Sequence, residues 1–179
     1  VGRCEDYQEL SQMASLLTEV LDAGIDLTSP PTECSKAHNN TFRTIGTGIQ
    51  GYHDWLAKEW KTYHDTEEAT RVAEYIQYGC VKKSIELSER FGAYPAFEGS
   101  DWDNGLMFDK FESRSVTDLD WRQLRNGVKE HGIRNSQMTS PAPNTSTSVF
   151  MDAAAGVPPV YSHFFREDND NGKYPISCM

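Results

Sequence analysis

Long hydrophobic runs, paired cysteines and an excess of basic residues are all missing from this sequence of 179 residues. No apolar run approaches the roughly 20 residues that a membrane-spanning helix needs, so we expect no membrane partner. The 17 Lys and Arg are outnumbered by 27 Asp and Glu, and the net charge of -10 argues against binding to nucleic acid. A phosphate ligand would therefore have to be held locally, by backbone amides.

The cysteines are too widely spaced to form a CxxC pair, and they stand at Cys4, Cys34, Cys80 and Cys178. In a chain of this size that usage predicts reduced thiols, a cytoplasmic location and no metal site. The first residues include neither an initiating methionine nor the apolar stretch of a secretory signal, so we expect no such signal here.

Apolar residues recur at steps of three and four in three segments, which predicts amphipathic helices over about residues 7–23, 67–91 and 119–131. The apolar face of the first helix is formed by Leu10, Met13, Ala14, Leu17, Val20 and Leu21. That of the second is formed by Ala69, Val72, Ala73, Ile76, Cys80 and Leu87. That of the third is formed by Trp121, Leu124 and Val128. Gly24 and Gly132 are expected to end the first and third helices, and a capping box at Asp65 to begin the second.

The intervening segments predict shorter elements. Strands are predicted at 136–142, 160–166 and 173–176, the last two joined by a type I′ turn at Asn171 and Gly172. Short helices are predicted at 49–58 and 147–154. Irregular connections are predicted at 32–40 and 92–116. Helices that alternate with short apolar strands indicate an α/β fold with mostly parallel strands.

The most informative segment for chemistry is 143–148, where a proline turn precedes small polar and hydroxyl side chains, PNTSTS. The first amides of a helix have no acceptor within the helix, and such a terminus binds phosphate even in an acidic protein. Small hydroxyl side chains add hydrogen bonds while leaving the backbone open to close approach. The residues alone also fit ordinary N-capping by Ser146 or Thr147, and both interpretations stay open.

Five motifs, in one order along nearly the whole chain, resemble segments of the catalytic (large) subunit of ribonucleotide reductase. They are RTIGTGIQGYHD at 43–54, GAYPAFEGS at 92–100, GIRNS at 132–136, PNTSTS at 143–148 and AGVPP at 155–159. The resemblance implies a ten-stranded α/β barrel, helix-rich with short mostly parallel strands. Residues 1–179 would form a single segment of that barrel, its second part.

The resemblance also implies a binding role for residues 143–148. The phosphate groups of a ribonucleotide substrate would be bound by Pro143, Asn144, Thr145, Ser146, Thr147 and Ser148. Asn144 and Thr145 stand where other members carry different small residues, which leaves the main-chain contacts intact. They do not identify the reductase class, nor whether the substrate is a diphosphate or a triphosphate.

The radical cysteine of that family, set in an N-x-C-x-E pattern on a finger loop, has no counterpart among these cysteines. Cys4, for example, is followed by Glu5 and Asp6 but has no asparagine two residues before it. We therefore predict no catalytic residue in this segment, with the finger loop upstream of Val1 and further redox cysteines beyond Met179. The implied partners are the rest of the catalytic chain and a radical source, either a di-metal partner subunit or adenosylcobalamin. No cofactor is expected to bind this segment itself.

Two other functions are kept as hypotheses. In the first, the chain is a non-catalytic nucleotide-binding or assembly module derived from the enzyme. In the second, it is an independent hydrolase that uses His53 and Asp54 as an acid–base pair. His64 and Asp65 form a similar pair in a turn. Two motif-like patterns are interpreted as structural: Gly46, Gly48 and Gly51 as a backbone element rather than a dinucleotide fingerprint, and residues 167–172 as a hairpin tip rather than a calcium loop.

Overall fold

The structure is a computed structural model that describes residues 1–160, 162, 164–169 and 172–177. The chain divides into two compact units. The first is formed by residues 1–4, 48–64 and the described residues from 141 onward, and the second by residues 5–47 and 65–140. That residues 1–179 form a single segment, the second part of the barrel, stays a prediction.

Helices account for most of the regular structure in the described residues. They are α1 (Tyr7–Leu27), α2 (Glu33–Phe42), α3 (Tyr52–Lys58), α4 (Thr66–Phe91), α5 (Leu106–Glu112), α6 (Trp121–His131) and α7 (Thr145–Met151). The strands are β1 (Phe164–Asn169) and β2 (Gly172–Ser177). The second unit contains α1, α2, α4, α5 and α6, and the first contains α3, α7 and the two strands.

The predicted α4 is confirmed almost to the residue. Asp65 is its N-cap and accepts a hydrogen bond from the amide of Glu68 at 3.1 Å. Gly92, at φ 85°, ends the helix. Two of the residues predicted to face inward, Ala69 and Ala73, are exposed instead. The buried face is wider and more polar than the pattern implied, because it includes Glu68, Glu74, Ser84 and Ser88.

Helix α1 runs past the predicted end at Gly24 and stops at Leu27, before the paired prolines that follow. A glycine inside a helix costs only about 1 kcal/mol relative to alanine, so neighbouring interactions can carry the helix through it. The carbonyl of Gly24 accepts a hydrogen bond from the amide of Thr28 at 3.1 Å. The predicted end of α1 was therefore wrong by about one turn.

The buried row of α1 also differs from the predicted apolar face. It consists of residues at steps of four, namely Leu10, Ala14, Thr18 and Asp22. Met13, Leu17 and Val20, which were expected to face inward, are 44–57% exposed. The row packs on α4, and it accepts two polar side chains because each has a partner. Thr18 donates to the carbonyl of Ala14 at 2.9 Å, and Asp22 pairs with Arg43.

Two helices replace predicted connections. Thr32 caps α2 by accepting from the amide of Ser35 at 3.2 Å, and the helix ends at Arg43 in the left-handed conformation, φ 44°. None of the residues of α2 is buried, so it has no apolar periodicity from which to predict it. Helix α5 places Phe108, which is buried, against the ring of Trp102 at 5.7 Å between centroids.

Helix α6 is confirmed, with Trp121, Leu124 and Val128 buried and Gly132 as its C-cap. It packs against α4 around a buried carboxylate, Glu74. Trp121 Nε1 donates to Glu74 at 2.8 Å and the amide of Val116 donates at 3.0 Å, while the hydroxyl of Ser115 also donates to it. Burial alone would raise the pKa of Glu74, but these donors outweigh it and the pKa is lowered.

A network of charged and polar side chains, most of them buried, joins α1 to the segments after α2 and α6. Arg43 Nε donates to Asp22 Oδ1 at 3.0 Å, and its two terminal nitrogens contact both oxygens of Asp26 at 2.8 and 2.9 Å. Asn135 Nδ2 donates to the same Asp22 oxygen at 2.8 Å. Asn135 is fixed in turn by Ser84, which donates to its Oδ1 at 2.9 Å. All five residues lie in the second unit.

Residues 137–140, within the segment predicted as a strand at 136–142, run beside residues 45–47 in parallel. The amide of Thr47 donates to Met138 at 2.8 Å, and that of Ser140 donates to Thr47 at 3.0 Å. The regular pairing between these two segments is limited to one isolated bridge, between Thr47 and Thr139, and it does not extend into a ladder. Parallel strands are stable chiefly when neighbours and covering layers lie on both sides, and within the described chain this pair has no third strand.

The named strands correct the expectation of mostly parallel pairing. β1 and β2 pair antiparallel, with Phe164 opposite Ser177 and Asn169 opposite Gly172. A tight connection of two residues can join only antiparallel strands, which agrees with the predicted hairpin. β1 begins later than predicted, and Asn171, at the predicted turn, lies outside the described residues. The described chain is thus helix-rich, with a hairpin and one parallel bridge.

Candidate functional site

The predicted loop lies at the start of α7. Residues 141–144 have no regular structure, and the helix begins at Thr145, so Ser146 and Thr147 fall in its first turn. Pro143, Ser146 and Thr147 are exposed to solvent, whereas Ser148 is buried. The side chains of Ser146 and Thr147 are therefore accessible to a ligand.

The N-cap of α7 is Asn144, and neither Ser146 nor Thr147 takes that position. The side chain of Asn144 makes no capping bond to the helix. Its Nδ2 donates backward, to the carbonyl of Ala142 at 3.1 Å. Ordinary N-capping by Ser146 or Thr147, the alternative interpretation from the residues, is therefore wrong.

The backbone amides of the first turn are the chemically useful groups at this position. The first intrahelical hydrogen bond of α7 runs from the amide of Ser148 to the carbonyl of Asn144 at 2.9 Å. The amides of Thr145, Ser146 and Thr147 precede it, and so have no acceptor inside the helix. Amides in such a position bind anions, because they donate hydrogen bonds without needing a positive side chain.

The two ends of the loop are held together by the backbone. The amide of Asn144, just before α7, donates to the carbonyl of Ala155, just after it, at 2.7 Å. The amide of Ala153 donates to Ser148 at 3.0 Å. Gly156 lies against the same turn, since a Cβ atom there would be 3.6 Å from the Cα of Pro143. Residues 143–156 thus form one closed loop around α7.

The glycine-rich segment 46–51 has a structural role in the described contacts. Gly51 is the N-cap of α3, with φ 70°, a conformation that glycine adopts at little cost. Its amide donates to the carbonyl of Ala154 at 2.8 Å. Gly46 lies close to Ser140, whose Cβ would be 2.8 Å from a Cβ at that position. Both contacts are to protein, and the structural interpretation of this segment stays a prediction.

His53 and Asp54, the candidate acid–base pair, have separate surroundings. They are consecutive on α3, and consecutive helical side chains do not face each other. The ring of His53 stacks on Tyr63, with centroids 6.2 Å apart. Asp54 Oδ2 accepts a hydrogen bond from the amide of Ala154 at 2.9 Å. The contact between Asp54 and Ala154 joins residues one hundred positions apart, and no sequence pattern predicts it. His64, in the second candidate pair, is exposed.

Among the cysteines that the structure describes, Cys4 and Cys80 are buried and Cys34 is exposed. The sulfur of Cys80 lies 3.8 Å from the carbonyl oxygen of Ala14 and 4.0 Å from Thr47 Oγ1. Burial raises the pKa of its thiol, and hydrogen bonds from neighbouring side chains only partly oppose that effect. Cys80 is therefore a buried core residue of α4.

The described residues contain no group of three or more His, Cys, Asp or Glu side chains arranged to hold a metal ion. The calcium-loop pattern at 167–172 extends over residues outside the described chain, and its described parts belong to the ends of β1 and β2. No described helix has the length and apolar character required to cross a membrane.

Comparison with known families identifies the class to which this chain belongs. The family model for the ribonucleotide reductase barrel domain matches residues 2–177. The chain belongs to that family, as a segment of the barrel domain of the large subunit, and the predicted resemblance is confirmed. The barrel-domain assignment follows from this membership, while the ten-stranded α/β arrangement stays a prediction.

Individual relatives agree. The chain is 41% identical, over 96% of its length, to the ribonucleoside-diphosphate reductase subunit alpha of Synechocystis sp.. It is 34% identical, over 91%, to the protein of that name from Treponema pallidum. It is 30% identical, over 96%, to the ribonucleoside-diphosphate reductase large subunit of Caenorhabditis elegans. The chain spans 19–23% of the length of these three relatives.

Proposed function

We propose that this chain supplies the substrate-phosphate loop of a ribonucleotide reductase, an enzyme that reduces ribonucleotides to deoxyribonucleotides by radical chemistry. Residues 143–148 would bind the phosphate groups of the substrate. The observation that supports the proposal is the start of α7 at Thr145, which leaves the first amides of the helix without an acceptor inside it. These amides lie in the segment that resembles the family's phosphate loop.

The geometry suits an anion in a protein that is acidic overall. The amides of Ser146 and Thr147 lie at exposed residues, and their hydroxyl groups add further donors. The backbone amide of Asn144 is not available to a ligand, because it donates a hydrogen bond to the carbonyl of Ala155. We therefore assign the phosphate contacts chiefly to residues 145–147, with Pro143 and Asn144 shaping the turn and Ser148 buried beneath it.

The relatives are named as reductases of ribonucleoside diphosphates, and we infer a diphosphate substrate for this chain by similarity. We infer that the radical cysteine and the radical source, a di-metal partner subunit or adenosylcobalamin, belong to other parts of the enzyme. This segment would then contribute binding and orientation and would hold no cofactor itself.

The division of labour predicts activity only when the missing parts are added. The chain should be mixed with a fragment that carries the rest of a reductase catalytic subunit and with its radical source, and deoxyribonucleotide formation measured. We expect turnover in the mixture and none with either piece alone. Nucleotide binding without restored activity would instead favour the non-catalytic module, and turnover of a substrate by the chain alone would favour an independent hydrolase.

The loop assignment predicts a specific kinetic change. Replacing Ser146 or Thr147 with phenylalanine should raise KM for a ribonucleoside diphosphate by about tenfold or more, equivalent to about 1.4 kcal/mol of lost binding. The bulky ring would block close approach to the amides, whereas kcat should change little because the reacting carbon is remote from the phosphates. The measurement is steady-state kinetics of the assembled enzyme.

Phe150 provides the matched control for that experiment, since it lies in the same helix, beyond the first turn, and is 88% exposed. Phe150→Ala should leave KM unchanged. If the Ser146 and Thr147 variants also keep the original KM, the loop does not bind the phosphate groups and the assignment is wrong.

A further inference from the structure

The segment that follows α7 is fixed to the start of α3 through a single residue, Ala154. Its amide donates to Asp54 Oδ2 at 2.9 Å, and its carbonyl accepts from the amide of Gly51 at 2.8 Å. Both polar groups of the Ala154 backbone are thus used on residues about a hundred positions earlier in the sequence. All of these residues lie in the first unit.

The next residue carries that constraint into the candidate loop. The carbonyl of Ala155 accepts from the amide of Asn144, the N-cap of α7, at 2.7 Å. A displacement of Ala154 would therefore displace Ala155, and with it the residue that sets where the helix begins. The chain of contacts runs from Asp54 through Ala154 and Ala155 to Asn144.

Asp54 is well placed to hold this arrangement rigidly. It lies in the first turn of α3, and its carboxylate is packed close to Gly51, where a Cβ would be 3.1 Å from Oδ2. A carboxylate that accepts from a backbone amide makes a stronger hydrogen bond than a neutral acceptor does. An acid in the first turn of a helix also serves that helix, but the Oδ2 contact is directed at the amide of Ala154, on another segment.

We propose that Asp54 is a positioning residue for the candidate phosphate loop, acting through Ala154 and Ala155 on the start of α7. The inference rests on the proposed function of residues 143–148 and adds to it a residue that touches no substrate. It also gives Asp54 a role different from acid–base chemistry with His53.

Tyr63 supplies a matched control, because it contacts the same segment outside this chain of contacts. Its hydroxyl donates to the carbonyl of Val157 at 3.0 Å, and its ring lies against Tyr52 and His53. Burial, together with nearby Tyr52 and Asp54, raises the pKa of Tyr63 to about 12, so the hydroxyl remains a donor at neutral pH. Tyr63→Phe removes one hydrogen bond to the segment and keeps the ring.

The test is steady-state kinetics of the assembled enzyme with a ribonucleoside diphosphate. Asp54→Ala should raise KM about tenfold, the effect of losing one hydrogen bond to a charged acceptor, with kcat changed less than about threefold. Asp54→Asn should restore most of the affinity, because an amide oxygen can accept from Ala154 in the same place. Tyr63→Phe should stay near the original KM.

Hydrogen exchange supplies a readout that does not depend on activity. In Asp54→Ala the amides of Ala154 and Asn144 should exchange faster, while those in α4 should not change. If the alanine variant does not fold, Asp54→Glu tests the same geometry, because one extra methylene misplaces the carboxylate and should raise KM similarly.

The outcomes separate this inference from the proposed function. If the Ser146 and Thr147 variants raise KM but Asp54→Ala does not, Asp54 has no positioning role and the loop assignment stands. If neither set changes KM, the loop assignment itself is wrong. A loss of kcat in Asp54→Ala that asparagine does not repair would also overturn the inference, since it would indicate a direct chemical or general structural role.

Discussion

Replacing Arg43 with methionine is expected to lower the free energy of unfolding of this chain by about 3–5 kcal/mol. Asp22 would lose the nearer of its two cations while remaining buried, with a side chain that is only 5% exposed. Its remaining donor would be Asn135, since Arg134 Nε lies 3.5 Å away without hydrogen-bond geometry. Urea unfolding of the original chain and of the variant, followed by circular dichroism, measures the difference.

Asp26 is the matched control, because it is the other carboxylate partner of Arg43 but lies at the surface. The hydrogen bond from Arg43 is the main cause that lowers the pKa of Asp26. Its contribution is therefore present above its ordinary pKa of 3.8 and is lost as the pH falls through the lowered value. Because Asp26 is 59% exposed, Asp26→Asn should cost less than about 1 kcal/mol at neutral pH. Equal effects of the two substitutions would contradict a special role for the buried pair.

The sequence predicted the long helices because their signals are local. Asp65 and Gly92 mark the ends of α4 by their own side-chain and backbone chemistry, and the apolar spacing of α6 is confirmed residue by residue. The buried row of α1 was harder, because Thr18 and Asp22 lie inside it. A polar residue is buried only where a distant partner satisfies it, and for Asp22 that partner is Arg43, beyond an entire helix.

The parallel pairing and α2 show two other limits. Helix α2 buries no residue, so it leaves no periodic pattern. The segment predicted as a strand at 136–142 forms only one isolated bridge, to Thr47, and the residues that it pairs with lie far back in the chain. Extended segments acquire regular structure from their surroundings, and spacing along the chain does not contain that information.

The candidate loop itself was predictable, because its six residues are contiguous and its chemistry is that of a helix start. Asp54, the residue that we propose positions this loop, was not predictable in that role from the sequence. Asp54 stood next to His53 and suggested acid–base chemistry, whereas its carboxylate contacts Ala154. That residues 143–148 bind a phosphate stays a prediction, and only the tertiary contacts indicate which residues hold this loop in place.

Replacing Gly79 with alanine is expected to lower the free energy of unfolding by about 1–3 kcal/mol, because the helices leave no room for a side chain at this position. Valine, which is larger, should lower it by more. A Cβ at Gly79 would lie 2.2 Å from the carbonyl oxygen of Ser11 and 2.9 Å from its carbonyl carbon. These are backbone atoms of α1, which cannot rotate away as a side chain can. Separating the helices would also break the hydrogen bond from Ser15 Oγ to the carbonyl of Gly79, now 2.9 Å long.

Gly24 makes the comparison decisive, because it is a helical glycine in the same pair of helices with open space around it. An added Cβ there meets no atom within 4 Å, so Gly24→Ala should stabilise the chain by about 0.5–1 kcal/mol through the ordinary preference of a helix for alanine. Urea unfolding should therefore shift in opposite directions for two chemically identical substitutions. If Gly79→Ala also stabilises the chain, α1 and α4 do not approach each other closely at this position.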